Sequence, residues 1–296
     1  MILRIFAMAK RHSLLVLAWL AVLPSLSANA AFQPPRVGLP ETGATVIARS
    51  TSRGDSLDDM LSQNGIVPGS EKARVLTAWF DVILRDPVIQ TRFPGGARAL
   101  QKVFFDEGKR EALMSSGLAR LTPNERLDYL QLFTRLLDEL VPVNCFGLVD
   151  MTAVMNRITL AQMSDTDTAL YLRLLYRVLV SSGSDIPVRL PTQEEYDAAV
   201  EELSRAIVIE LDADPASMDR YELYMVHPSQ ATPSDVCWTT RVTLHAIAKM
   251  SETERDFVLL PAISGATVEP FKNPAAEQPA QSPLPFRNRP TEKSIH

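Results

Sequence analysis

Cys145, Cys237 and the histidines His12, His227, His245 and His296 are the side chains best suited to nucleophilic, general-base or metal chemistry in this chain. Their spacing builds none of the familiar frameworks. There is no HExxH, no GxSxG, no glycine-rich phosphate loop, and no cysteine pair at CxxC or zinc spacing. No cofactor and no metal site is expected. His245 is the base candidate. It falls in Trp238–Met250, close to Cys237, where an anchored helix could hold its imidazole as a general base. The same placement suits a partly buried structural histidine. His227 directly precedes Pro228, which marks a helix end.

Acidic pairs occur at Asp106-Glu107, Asp138-Glu139, Glu194-Glu195 and Glu201-Glu202. Glycoside hydrolysis needs two carboxylates about 5 to 9 Å apart across a sugar. Neighbouring residues on a helix diverge by about 100°, so these pairs do not face each other. Glu195 and Glu202 share a face, but a solvated one. Met218, Tyr221, Tyr224 and Met225 recur at helical spacing. Methionine and tyrosine are enriched at contact surfaces, so with His245 they form a candidate binding surface, core packing being the competing reading.

The elements that hold these residues start with a leader. Arg4, Lys10 and Arg11 precede an apolar run from Leu14 to Leu23, and Ala28-Asn29-Ala30 follows. Charge, short apolar core and A-x-A ending describe a secretory signal peptide over 1–30, cleaved between Ala30 and Ala31. The run falls well short of the roughly 20 apolar residues of a spanning helix. Cleavage takes the formal charge from −5 to −8, an acidic balance that argues against nucleic acid. The expected address is the periplasm or the exterior, and Cys145 and Cys237 there are expected to pair. Such a bridge closes a long loop and would stabilise by about 4 to 5 kcal/mol in the chain-entropy account.

Residues 31–54, with Pro34, Pro35 and Pro40, are expected to be an extended, poorly ordered lead. The stretch 268–296 carries six prolines and is expected to be a disordered tail, either a spacer or a partner-binding peptide with Phe286 as an anchor. Between them, over 55–267, the apolar period is helical. Val75, Leu76, Trp79, Phe80 and Ile83 follow a 3–4 spacing that stops at Asp86-Pro87. Thr122-Pro123-Asn124-Glu125 combines an N-cap, a proline at the first helical position and a capping acid. Ser164–Asp167, Thr192–Glu195 and Ser251–Glu254 resemble it. Gly95, Gly96, Gly108 and Gly117 predict short helices between 95 and 118. Ile186–Leu190 alternates briefly, but Pro187 makes it a linker or an edge.

The fold class read from this pattern is all-α: an irregular multi-helix bundle, or a helical-hairpin array, tied by one disulfide. The array reading comes from the similar starts at Thr122, Ser164 and Ser251. The expected function is non-catalytic binding of a protein partner in the cell envelope, as an inhibitor or immunity-type protein. The alternatives are an envelope hydrolase using His245 or an acidic residue, and a helical-repeat assembly factor.

Overall fold

Eleven α-helices make up most of the regular structure of the described residues, with short 3-10 turns at Cys145–Gly147 and Pro228–Gln230, and none of these residues is in a strand. The computed structural model describes residues 52–265, apart from 97, 98, 101, 104 and 105. The expected leader, nearly all of the expected lead, the proline-rich tail and His296 lie outside the described residues. The helices are α1 (Ser52–Gln63), α2 (Glu71–Arg85), α3 (Pro87–Arg92), α4 (Glu107–Ala119), α5 (Pro123–Leu140) and α6 (Met151–Met155). They continue with α7 (Asp165–Ser181), α8 (Gln193–Glu210), α9 (Pro215–Val226), α10 (Pro233–Lys249) and α11 (Glu252–Ser264). Helix α1 begins inside the stretch expected to be extended. None of the described helices is long and apolar enough to cross a membrane.

Most starts follow one device, a short polar N-cap, often with proline directly behind it. Proline fits the first helical position because its missing amide proton has no partner there anyway. Asp86, Thr122, Asp214 and Thr232 each precede such a proline, and each accepts from a backbone amide of the first turn. The boxes at Thr122 and Thr192 are complete, with Glu125 and Glu195 reaching back to the cap amides. Ser164 and Ser251 also cap, but their hydroxyls bond the acids at Asp167 and Glu254 directly.

Helix α7 is central. Tyr171, Leu172, Leu174, Leu175, Val178 and Leu179 are all buried, so it is apolar around most of its circumference, as an enclosed helix must be. It packs against α2, α3, α4 and α5. Trp79 on α2 donates from its indole to the Leu172 carbonyl at 2.6 Å. Lys72 donates to the Ala161 and Met163 carbonyls at 3.2 and 2.5 Å, securing α2 to the approach of α7.

Helix α4 departs from the sequence expectation. It runs 13 residues straight through Gly108 and Gly117. Gly117 is there for space: a Cβ would lie 2.4 Å from the Val178 carbonyl oxygen of α7. Its absence lets the two helices approach closely rather than ending the helix.

The second half of the chain folds back on the first. Helix α8 packs on α10 and α11, α10 on α5, and α11 on α4. One contiguous core runs from Leu61 to Ile263. In a solenoid each unit touches only its sequence neighbours. The α4–α11 and α5–α10 contacts cross that rule, so the architecture is the irregular bundle and not the hairpin array.

Candidate functional site

The disulfide exists as expected and anchors one of the two places among the described residues where consecutive residues with a Cβ take positive φ, the other being Asp212-Ala213. Cys145 and Cys237 are bonded, with their Cα atoms 5.6 Å apart and neither residue accessible to solvent. Cys237 lies in α10, so the bridge fixes the loop between α5 and α6 to that helix. Within the loop, Cys145, Phe146 and Gly147 have φ of 48°, 54° and 77°. Left-handed backbone costs a residue with a Cβ about 1 to 2 kcal/mol. Two such residues in a row persist only where the surroundings enforce them. The enforcing contacts are the disulfide and three turn hydrogen bonds, Cys145 N–H to Pro142 O, Gly147 N–H to Asn144 O and Leu148 N–H to Cys145 O.

This turn presents apolar side chains to water. Val143 is 77% exposed, Val149 56% and Phe146 39%. Single exposed apolar residues are ordinary, but a cluster on one fixed loop is the usual form of a contact surface. The sequence carried a signal for it. Apolar residues are interrupted by the turn-formers Asn144 and Gly147 in Val143-Asn144-Cys145-Phe146-Gly147-Leu148-Val149.

The Met and Tyr group sits elsewhere and is mostly inward. Tyr221 is buried in a small cluster with Leu211 and Val242, and its hydroxyl meets Thr243 Oγ1 at 2.6 Å. Burial pushes its phenol up to about 12. Met218 and Met225 are partly buried against the same cluster, beside Trp238. The surface reading of Tyr221 is therefore corrected. The face points at α10, and spacing alone cannot say which side of a helix is wet. Tyr224 lies at the margin of this cluster, half-buried.

The polar cover of that cluster was not anticipated. The Arg220 guanidinium stacks 4.4 Å over the Trp238 ring and donates to Asp235 Oδ1 at 2.5 Å. Burial works against the Asp235 charge, but hydrogen bonds from Thr232, Arg220 and Tyr224 outweigh it and hold the carboxyl at about 2. Asp235 is also the capping-box acid of α10. Thr232-Pro233-Ser234-Asp235 repeats the Thr122 device, a helix start that the sequence reading missed.

His245 is separate from the Met and Tyr group. Thr243, which holds Tyr221, and His245 are two positions apart and so about 200° around the helix. His245 Nε2 meets Asp138 Oδ2 of α5 at 2.9 Å. Arg241 reaches the same carboxylate at 3.3 Å and donates to the Leu137 and Val141 carbonyls, both at 2.7 Å. Asp138, Arg241 and His245 thus fasten α10 to the carboxyl end of α5, where a cation satisfies orphan carbonyls. A carboxylate orienting an imidazole is also half of a base–orienter pair, while both cysteine sulfurs are held in the disulfide.

Several of the other acids have structural partners. Glu195 bridges to Arg189, and both Glu201 and Glu202 to Arg205. Asp106 caps α4. His227 caps the carboxyl end of α9, as its proline neighbour implied. Among the described residues no group of three or more His, Cys, Asp or Glu side chains is placed to hold a metal ion. No protein-family model, curated protein or solved structure matches the chain.

Proposed function

We propose that this is an exported, non-catalytic helical binding protein of the cell envelope, which engages a protein partner through the loop 143–149 and acts as an inhibitor or immunity-type factor. The observation that carries this reading is the disulfide-held left-handed turn with Val143, Phe146 and Val149 exposed. A loop fixed before contact loses little conformational freedom on binding, which favours affinity from a small apolar area. A disulfide suits an oxidising compartment, in agreement with the leader read from residues 1–30. The loop takes over the role first assigned to Met218, Tyr221, Tyr224, Met225 and His245.

The test is a capture experiment. Oxidised residues 31–296 serve as bait against an envelope extract, with Val143→Asp and Phe146→Asp baits in parallel, all read by mass spectrometry. A stoichiometric partner held by the native bait and lost from both variants supports the reading. A partner retained by both variants removes the loop from it. No partner at all removes the inhibitor reading.

The hydrolase reading keeps one specific support, the Asp138–His245 pair. It requires a turnover that His245→Ala abolishes while the circular dichroism spectrum stays unchanged. The assembly-factor reading rested on a hairpin array and falls with it.

A further inference from the structure

Ile186-Pro187-Val188-Arg189-Leu190-Pro191 connects α7 to α8 without regular structure. Its form follows from its composition. Each proline fixes its own φ and turns the residue before it away from the helical region, so Ile186 and Leu190 favour extended backbone. Ile186 is 73% exposed, and Leu190 and the Arg189 side chain also face water. Among the described residues, no backbone–backbone hydrogen bond involves 185–191. The Ile186 amide donates to Ser184 Oγ at 3.2 Å.

An enzyme that cuts a chain needs an accessible extended backbone with its amides and carbonyls free to be bonded. Helical backbone must open first. Every other arginine and lysine among the described residues lies in a helix or in a hydrogen-bonded turn. Arg189 is the basic residue already in the required form. Its guanidinium meets Glu195 Oε1 at 2.5 Å and lies 5.6 Å from the centre of the Phe257 ring. An exposed ion pair of this kind holds weakly against water or a competing carboxylate. A carboxylate at the base of the specificity pocket is how a trypsin-like enzyme selects arginine. The prolines confine the cut, because a peptide bond ending on proline nitrogen has no amide proton and carries a bulky ring.

The two sides of the linker are joined independently of it. The Cys145–Cys237 bridge spans it. Arg241 of α10 donates to the Leu137 carbonyl of α5, and Ser115 of α4 to the Ile263 carbonyl of α11 at 2.6 Å. We propose that Arg189–Leu190 is a processing site for an arginine-selective serine protease, and that the product is a two-chain protein tied by Cys145–Cys237. Water adds across the peptide bond, leaving a carboxylate on Arg189 and an ammonium group on Leu190. The cut lies outside the loop 143–149 and does not depend on the binding role assigned to it.

Brief trypsin treatment of oxidised residues 31–296, read by mass spectrometry with and without dithiothreitol, tests the accessibility. Between Cys145 and Cys237 the first cut is expected at Arg189–Leu190, at least about tenfold faster than the cut after Arg157, whose turn must open first. The cut chains are expected to stay together in denaturant until reduced, and the circular dichroism of the cut protein to match that of the intact one. Arg189→Gln and Leu190→Pro are each expected to slow this cut at least about tenfold and to leave cleavage elsewhere unchanged. Protein purified from its own source is expected to release, on reduction, a chain ending at Arg189. Earlier cleavage after Arg157 or inside a helix overturns the proposal, and so does loss of helical signal on cutting. Source protein that stays continuous across 189–190 after reduction also overturns it.

Discussion

Arg126 and Asp256 meet in the interior, 130 positions apart in sequence, through two parallel hydrogen bonds of 2.9 and 2.6 Å. Both residues are buried, and the pair joins α5 to α11. The remaining arginine donors go to the Ala119 and Leu121 carbonyls at the end of α4. One guanidinium therefore ties three helices. Removing one member of such a pair leaves the other charged and unpaired in low dielectric, which costs about 3 to 5 kcal/mol. Asp256→Ala is expected to lower the unfolding free energy by about that amount in urea titrations. The double change Arg126→Met with Asp256→Leu is expected to cost much less, since the desolvation of both charges disappears with them.

The disulfide acts at a distance from that pair. Its sulfurs are buried, so a reductant has to wait for unfolding. Native protein is expected to resist mild dithiothreitol, and the unfolded, unreduced chain is expected to take up no thiol label. Replacing both Cys145 and Cys237 by serine is expected to cost about 2 to 5 kcal/mol. Free labelling of the unreduced chain would contradict the pairing.

Phe146 offers a test of the enforced turn. Alanine and glycine at this position lose the same ring, but only glycine adopts φ of 54° without penalty. Phe146→Gly is expected to be about 1 kcal/mol more stable than Phe146→Ala, the reverse of the order found inside helices. Paired denaturation curves read the difference directly. Both variants lose the exposed ring, and both are expected to weaken capture of a partner.

How much was legible in advance depended on the range of the interaction. Thr122-Pro123-Asn124-Glu125 and Asp86-Pro87 are local devices, complete within four residues, and both fixed their helix ends where expected. The Thr232 start had the same form. The Cys145–Cys237 pairing matched the expectation drawn from a count of two cysteines and an expected oxidising compartment. By contrast, the stacking of Arg220 on Trp238 depends on how α9 lies on α10. Met218, Tyr221 and Met225 showed a face, but periodicity gives the face and not its partner. The turn at 145–147 was hidden for a further reason, because nothing local at Cys145 or Phe146 favours positive φ.

Asp235 makes stability depend on acidity in a defined direction. Its carboxyl lies at about 2 in the folded protein against 3.8 for an ordinary aspartate. A depressed folded value stabilises above the unfolded value and loses that contribution as the pH falls through the folded one. The contribution, about 2 kcal/mol, is thus intact above about pH 4 and is lost as the pH falls towards 2. The loss of stability between pH 5 and pH 2 is expected to be smaller in Asp235→Asn than in the native protein by about that amount. Equal acid sensitivity in the two would show that the Arg220 and Thr232 contacts do not favour the ionised form.

Gly117 turns a common rule around. Replacing glycine by alanine inside a helix normally stabilises by about 1 kcal/mol, because the backbone loses less freedom on folding. Here the added methyl would lie 2.4 Å from the Val178 carbonyl oxygen and 2.6 Å from Val178 Cγ1. The first of these neighbours is backbone of the central helix and cannot swing aside. Helix α4 would have to lift from α7, and overpacking of this kind costs about 1 to 3 kcal/mol. Gly117→Ala is therefore expected to lower the melting temperature. Combining it with Val178→Ala removes only the side-chain clash, so recovery is expected to be incomplete. Gly108, on the same helix, has only the Asp106 carboxylate near its Cβ position, at 3.8 Å. Gly108→Ala is expected to be neutral or stabilising by up to about 1 kcal/mol. A stabilising Gly117→Ala would mean that α4 and α7 do not approach as closely as their packing requires, and the position of α4 in the bundle would have to be redrawn.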